Sequence, residues 1–276
     1  MASNFCTVNH LGYSLFVYRP WWDAGIRHGM TTIPLDFSDN ALPIASRGLG
    51  EALSIDSLIL PRQTHGSSII NMLNRSDWNP DEHGGILRRC GDGDAVIASA
   101  STNVDRGGRR GLSRAIGVRT ADCVPIIVEG VGVGDSSRMW AVIHAGWRGL
   151  ACGIIAETFK ELSLKARPIT AVVFPCGGTE RYEVGKEVID AIGATAVFSP
   201  RTTGPSTDEQ GKFFLNLALT AAQQIAEATD GAAIAVAHEC TMAAKYRVGL
   251  DRELPLFHSH RRDGAKAGRN LTFVRL

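Results

Sequence analysis

A single domain of α+β type is the fold class the sequence predicts, and three observations carry it. Short apolar, partly β-branched runs are interspersed with stretches of helical periodicity along all 276 residues. No internal repeat is present, and no linker separates two cores. Thirty glycines, more than average usage gives, imply many tight turns between short elements. A hydrophobic content of 44% and a mean hydropathy of −0.01 allow a sizeable core.

The elements follow in order. Residues 11–18 read as a first strand. Residues 24–32 form a Gly-punctuated turn carrying His28. Residues 36–49 read as irregular, with 51–54 finishing a short helix. Residues 57–60 are a short apolar strand, ended by Arg62-Gln63-Thr64-His65-Gly66. Residues 71–89 are polar and broken by Pro and Gly, which predicts a surface excursion. Asp92-Gly93-Asp94 then opens a strand at 95–98. Residues 102–113 combine three arginines with three glycines and predict a solvated, mobile loop away from any site. Strands follow at 115–118 and 124–128, with Thr120-Ala121-Asp122-Cys123 between them. Pro125 lacks an N–H, so an edge or a bend is expected there.

The chain is organised around residues 139–150. Met139 to Ile143 suits a covered strand. Gly146 and Gly149 flank a tight turn, and Leu150, Ile154, Phe159 and Leu162 recur at helical spacing. His144 thus stands at the end of a strand, over a helix start, where ligand chemistry commonly sits. Residues 170–174 form another strand, 175–178 a turn and 184–192 a helix, with a polar loop at 201–211. Asn216 caps a helix over 217–228 whose expected apolar contacts are Leu219, Ala222, Ile225 and Ala226. Strands at 232–236 and 271–274 complete the set.

Several function classes are disfavoured. The formal charge of +1 offers no polybasic surface, so neither nucleic acid nor an anionic membrane is an expected partner. The cysteines at 6, 90, 123, 152, 176 and 240 form no C-x-x-C pair, and a chain this long needs no disulfide staples. Residues 1–20 lack a cationic start followed by an apolar run, and no run of about eighteen apolar residues exists. The reducing cytoplasm is the expected location.

Three segments share one design, a short apolar strand followed by a polar turn bearing His or Cys: Gln63-Thr64-His65-Gly66, Thr120-Ala121-Asp122-Cys123 and His144-Ala145-Gly146-Trp147-Arg148-Gly149. Strand ends distant in sequence can converge in one sheet. Two imidazoles and a thiolate suit Zn²⁺, with a fourth position left for water or substrate. Spacing alone does not establish the convergence.

With Gly25-Ile26-Arg27-His28-Gly29, Gly93-Asp94-Ala95-Val96, Tyr182-Glu183-Val184-Gly185 and Ser259-His260-Arg261-Arg262-Asp263-Gly264, these segments resemble the YfiH family. It is also called the laccase-domain or polyphenol oxidoreductase family. The motifs occur in family order from about residue 24 to the end. The resemblance implies a layered α/β/β/α arrangement and zinc held by His65, Cys123 and His144. It also implies purine nucleoside phosphorylase activity together with adenosine deamination. A purine nucleoside and phosphate would be the substrates, and the state a monomer or small homo-oligomer. The chain departs from the family over residues 173–181, which lack its paired cysteines, and at Leu215-Asn216-Leu217, where the family has Leu-Asp-Leu.

On that reading Cys123, His144, Asp94 and Asp122 are the candidate catalytic groups, the two aspartates orienting a ligand or moving a proton. A turn role for Asp122 is the alternative. Gln63 and His28 are candidate substrate contacts, although His28 could instead satisfy its own turn. Arg148, Arg261 and Arg262 could hold phosphate in bidentate fashion, and a surface salt bridge is the alternative for Arg148. Two rival functions remain. A copper-dependent polyphenol oxidase would need several His-x-His pairs, and only His258 and His260 form one. A cysteine hydrolase would use Cys123 as nucleophile and His144 as base.

Overall fold

The computed structural model describes residues 3–73, 81–82, 86–100, 113–200, 211–248 and 252–276. Counted over those residues, two sheets lie face to face. The first has eight strands in the order Phe5–His10, Tyr13–Tyr18, His28–Thr31, Asn270–Arg275, Arg114–Thr120, Ser57–Arg62, Leu87–Asp92 and Asp81–Glu82. The second has six, in the order Ala233–Val236, Ala166–Val173, Val124–Gly132, Arg138–Ala145, Ala95–Ser99 and Ile69–Asn71.

Side-chain alternation sets the layers. Ile59, Ile116, Val118 and Val274 of the first sheet meet Val96, Ile127, Val142 and Val172 of the second in one core. On the far side of the second sheet, Ile126, Val128 and Ile143 pack under Ile154, Phe159, Leu162, Leu217 and Ile225, from the helices Ile154–Ser163 and Leu217–Ala228. On the far side of the first, Leu58, Leu60, Leu271 and Phe273 receive Leu42, Leu49 and Leu53 of the helix Leu42–Leu53. The order of layers is therefore α/β/β/α. Both sheets are covered on both faces, which is why their central strands read as continuous apolar runs.

Several elements differ from the sequence reading. The first strand is half of a hairpin: Phe5–His10 pairs with Tyr13–Tyr18, and Leu11 and Gly12 both adopt positive φ in the turn. The alternation in Phe5–His10 is too polar to signal a strand. Residues 42–49, read as irregular, form most of the helix Leu42–Leu53; Pro43 lies in its first turn, where a missing N–H costs nothing. Leu87–Asp92 is a strand pairing in parallel with Ser57–Arg62 rather than part of an excursion. Pro125 stands in a central strand, at its second residue, where its carbonyl still accepts from the Phe174 N–H. The helix after His144 is broken into Trp147–Ala151 and Ile154–Ser163 at Gly153, which adopts φ 76°. Residues 183–185 are a strand, so the next helix begins only at Lys186.

Asn216 caps the later helix as expected, its Oδ1 accepting from Leu219 N at 2.9 Å. The buried face of that helix is instead Leu217, Thr220, Ala221 and Ile225, and Leu219 and Ala226 face outward. Residues 102–112 of the expected loop lie outside the described residues, as do 201–210. The six cysteines form no disulfide. Among the described residues no helix is long and apolar enough to cross a membrane.

Candidate active site

Three times the chain steps from the first sheet to the second, and the expected site residues sit on those steps. Between Ser57–Arg62 and Ile69–Asn71 lies His65; between Leu87–Asp92 and Ala95–Ser99 lies Asp94; between Arg114–Thr120 and Val124–Gly132 lie Asp122 and Cys123. His144 belongs to Arg138–Ala145, which runs antiparallel between Val124–Gly132 and Ala95–Ser99 and so ends where they begin. The ligand atoms of His65, Cys123 and His144 all lie within 4.8 Å of one another. The two imidazole rings stand edge to face with centroids 4.8 Å apart.

Asp94 organises this cluster. Its side chain is fully buried and accepts five hydrogen bonds. Oδ2 takes Thr64 N at 3.2 Å, Thr64 Oγ1 at 2.8 Å and Gly66 N at 2.9 Å. Oδ1 takes His65 N at 2.9 Å and His144 Nδ1 at 2.8 Å. A carboxylate can only accept, so the His144 proton belongs on Nδ1 and Nε2 is left as a lone-pair donor. Burial alone would raise the Asp94 carboxyl, but the bonds from His144, Gly66 and Thr64 outweigh it and hold it well below the usual carboxylate range. Burial likewise opposes charge on Cys123 and His144. The adjacent imidazoles outweigh it and lower the thiol; the thiolate and Asp94 outweigh it and raise His144.

Two backbone features complete the shape. His65 adopts φ 60° and Asp122 φ 90°, left-handed positions that cost side-chain-bearing residues about 1–3 kcal/mol and persist where contacts over-determine them. At Asp122 those contacts are Thr241 Oγ1 on Oδ1 at 2.6 Å, Ser259 Oγ at 3.1 Å and Arg261 N at 2.7 Å on Oδ2, and Gly177 N on its carbonyl at 2.8 Å. The Asp122 carboxylate is thereby spent on fixing two neighbouring segments, at Thr241 and at residues 259–261, while its carbonyl holds a third at Gly177. Gly146 leaves the space that the cluster fills: a Cβ there would lie 2.9 Å from Cys123 Sγ and 3.6 Å from His65 Cδ2, so the thiol would have to shift.

A cavity of about 750 Å³ opens over the cluster. Gln63 lines it, but its amide is engaged with the main chain of Arg119, donating to O at 2.8 Å and accepting from N at 2.9 Å. Four other predicted contacts lie off its wall. His28 is fully buried, accepting from Tyr18 N on Nε2 at 3.0 Å and placing Nδ1 3.0 Å from Ile26 O; it satisfies its own turn. Arg148 is exposed and stacks on Trp147. Arg261 stacks on Tyr182 and donates to Glu183 O, and Arg262 donates to Thr241 O and Phe257 O. The wall instead carries Asp39, Arg62, Arg119, His260 and Arg269. Of these, only Arg62 and His260 fell in segments the sequence singled out. Arg119, four residues ahead of Cys123, could have been found by its place on the same crossing.

The donor set fits a zinc ion. It offers one sulfur and two nitrogens on a closed face, a tautomer fixed by a buried carboxylate, and a glycine that leaves room. It is the only cluster of three such residues among the described residues. His258, half of the one His-x-His pair, is engaged with Leu35 O through Nε2, so the pair does not present two free imidazoles.

A model of the family described as multi-copper polyphenol oxidoreductase laccase matches residues 41–276. A purine nucleoside phosphorylase of Aquifex aeolicus is 36% identical over 221 residues, which is 79% of this chain and 82% of that protein. An adenosine deaminase, RL5, from an unknown prokaryotic organism is 28% identical over 245 residues, 86% of this chain and 83% of its own. The crystal structure of the YfiH protein of Bacillus licheniformis superposes with a TM-score of 0.68 at 22% identity over 100% of both chains, a likeness of fold.

Proposed function

The chain belongs to the multi-copper polyphenol oxidoreductase laccase family, and from that membership and the geometry of the crossings we propose that it is a zinc-dependent purine nucleoside phosphorylase that also deaminates adenosine. The observation that carries this reading is the His65–Cys123–His144 cluster, braced by Asp94, at the floor of a cavity large enough for a nucleoside.

His65, Cys123 and His144 hold the metal, which when bound supplies a Lewis acid at the cavity floor. Asp94 keeps His144 in one tautomer and orientation and clamps the His65 loop, so the ligands need no rearrangement on loading. Asp122 is a positioning residue: it fixes the turn that presents Cys123 and ties it to the Ser259–Asp263 segment. In phosphorolysis a phosphate oxygen bonds to C1′ while the C1′–N9 bond breaks and its electron pair leaves on the purine. His260, the remaining imidazole of the wall, supplies the proton that the departing base needs. In deamination, water takes the place of phosphate and attacks C6, and ammonia leaves.

One observation favours a second reading. Cys123, His144 and Asp94 also stand in the series nucleophile, base and orienting carboxylate of a cysteine hydrolase. Such a triad has no use for His65, whereas a metal site uses all three. A thiolate that ligates zinc is not free to attack. The test is metal analysis of purified protein paired with phosphate-dependent release of base from adenosine and inosine. About one zinc per chain with base release is expected. Zinc-loaded protein that releases no base in phosphate buffer overturns the phosphorylase reading.

A further inference from the structure

The cavity wall beside the metal cluster is cationic and only partly neutralised. Three guanidinium groups, Arg62, Arg119 and Arg269, line it, and a fourth, Arg89, reaches Asp39 from behind; the carboxylates beside them are Asp36, Asp39 and Asp92. Arg62 is spent, since its Nε and Nη2 both engage Asp92. Asp36 is spent as well, accepting from Ser38 N and Oγ and from Arg269 N. Arg119 and Arg269 keep donors in reserve. Arg119 uses only Nη1, toward Phe37 O at 3.1 Å and Asp39 Oδ1 at 2.7 Å; its buried Nε has no partner among the described residues. Arg269 uses only Nη1, toward Ala267 O and Gly268 O. The partner of Arg119, Asp39, has a side chain 80% exposed to solvent, so an incoming anion can replace it.

The two arginines are held together by the fold. Leu271 pairs directly opposite Arg119 in the first sheet, and Asn270 opposite Thr120. Arg269 immediately precedes the strand Asn270–Arg275, and it lines the same cavity as Arg119, with both cations acting on Asp39. The main chain of Arg119 is fixed from the other side by both ends of the Gln63 amide. Arg89 sits behind them, 3.6 Å from Asp39, and its charge is disfavoured by burial and by Arg119. A second cation so close makes an anion welcome at this wall.

We infer that Arg119 and Arg269 form the oxyanion subsite of this cavity and that inorganic phosphate, the nucleophile of phosphorolysis, is its ligand. The assignment rests on the phosphorylase reading above. Two guanidinium forks on one cavity wall suit a tetrahedral oxyanion, and a phosphate held there enters the same cavity as a nucleoside over the metal. The 5′-phosphate of a nucleotide shares this chemistry, and the test separates the two.

The experiment measures steady-state phosphorolysis of inosine by zinc-loaded wild type, Arg119→Gln, Arg119→Lys, Arg269→Gln and Arg269→Lys, with the KM for phosphate and for nucleoside determined separately. Loss of a charge-assisted fork is expected to raise the KM for phosphate roughly ten- to a hundredfold in each Gln variant, with the KM for inosine changing far less. The Lys variants, which keep the charge and the fold, are expected to fall in between. Adenosine deamination, which uses water, should lose less than phosphorolysis does. If the KM for phosphate stays within about twofold in the folded variants, or rises only in step with that for inosine, the assignment is wrong. If the substitutions instead raise the KM for adenosine 5′-monophosphate and spare that for phosphate, the wall reads a nucleotide and the assignment is equally wrong. Absence of phosphorolysis in the wild type would instead remove the reading beneath it.

Discussion

Asp94→Asn separates the role of the buried carboxylate from that of the metal ligands. An amide carries one acceptor where the carboxylate carries two. Turned one way, its NH₂ faces His65 N and His144 Nδ1; turned the other, it faces Thr64 N, Thr64 Oγ1 and Gly66 N. At least two hydrogen bonds to a charged acceptor are lost in a site that admits no water to replace them. Each is worth about 1.5–3 kcal/mol, so a destabilisation of about 3–6 kcal/mol is expected. For a chain of this size that lowers the melting temperature by on the order of 10 °C. Freed of its carboxylate, His144 can also take the other tautomer, and zinc affinity should fall about 10- to 100-fold. The pH dependence follows in sign. The Asp94 carboxyl is depressed in the folded state, so its contribution is complete above the unfolded value of about 3.9 and is lost as pH falls through the lower folded one. The variant should therefore be weaker at neutral pH and show a shallower acid limb. Thermal melts with and without zinc, and a chelator competition titration, check this. An Asn variant that melts within about 2 °C of wild type and binds zinc within about twofold would refute the argument.

Other outcomes follow from the same geometry. Cys123→Ala should abolish zinc binding and lower phosphorolysis by orders of magnitude while circular dichroism stays that of a folded protein, because the core does not depend on a metal. Cys123→His should retain part of the zinc and some turnover, whereas a cysteine hydrolase would lose everything. Gly146 has φ −75° and ψ 172°, open to alanine, so Gly146→Ala should leave the melt of the metal-free protein nearly unchanged. Its Cβ against Cys123 Sγ should still cost about tenfold or more in zinc affinity, measured by the same titration. Burial lowers the His28 imidazole to about 4, so between pH 6.5 and 4 the unfolded chain holds a proton that the folded one refuses. Stability should fall by up to about 3 kcal/mol across that window and stay level above it. His28→Gln should flatten that limb in a urea series.

The parts of this fold legible in the sequence are those decided within a few residues. Val124–Gly132, Arg138–Ala145 and Ala95–Ser99 carry their covered apolar runs openly, and the cap at Asn216 is written in one residue. Elements decided by distant partners were not. Leu87–Asp92 is polar where it leaves Leu87 and Cys90, and it is a strand because Ser57–Arg62 lies beside it. The helix Leu42–Leu53 hides behind a proline and two glycines, and it is held by Leu58, Leu60 and Phe273 beneath it. The same divide runs through the site. His65, Cys123 and His144 announce themselves by residue type, while Arg119 and Arg269 look like any surface arginine until the fold brings both to one cavity wall.

That divide has a cause in the topology. A chain that stacks two sheets must cross between them, and each crossing leaves its strand ladder with unpaired backbone donors. Here the crossings at 62–69 and 92–95 solve that problem jointly: three of the donors on the first, Thr64 N, His65 N and Gly66 N, end on the Asp94 carboxylate of the second. The third crossing works in the other direction: its Asp122 carboxylate accepts Arg261 N from another segment and ties the two together. Two aspartates that satisfy loop backbone thus also fix the two His ligands and the Cys ligand in place, and the strain at His65 and Asp122 is borne at those same points. The proposed metal ligands and the fold share their hydrogen bonds. It follows that substitutions at Asp94 and Asp122 should move stability and zinc affinity together, whereas Cys123 and Gly146, which carry no such bonds, should move zinc affinity alone.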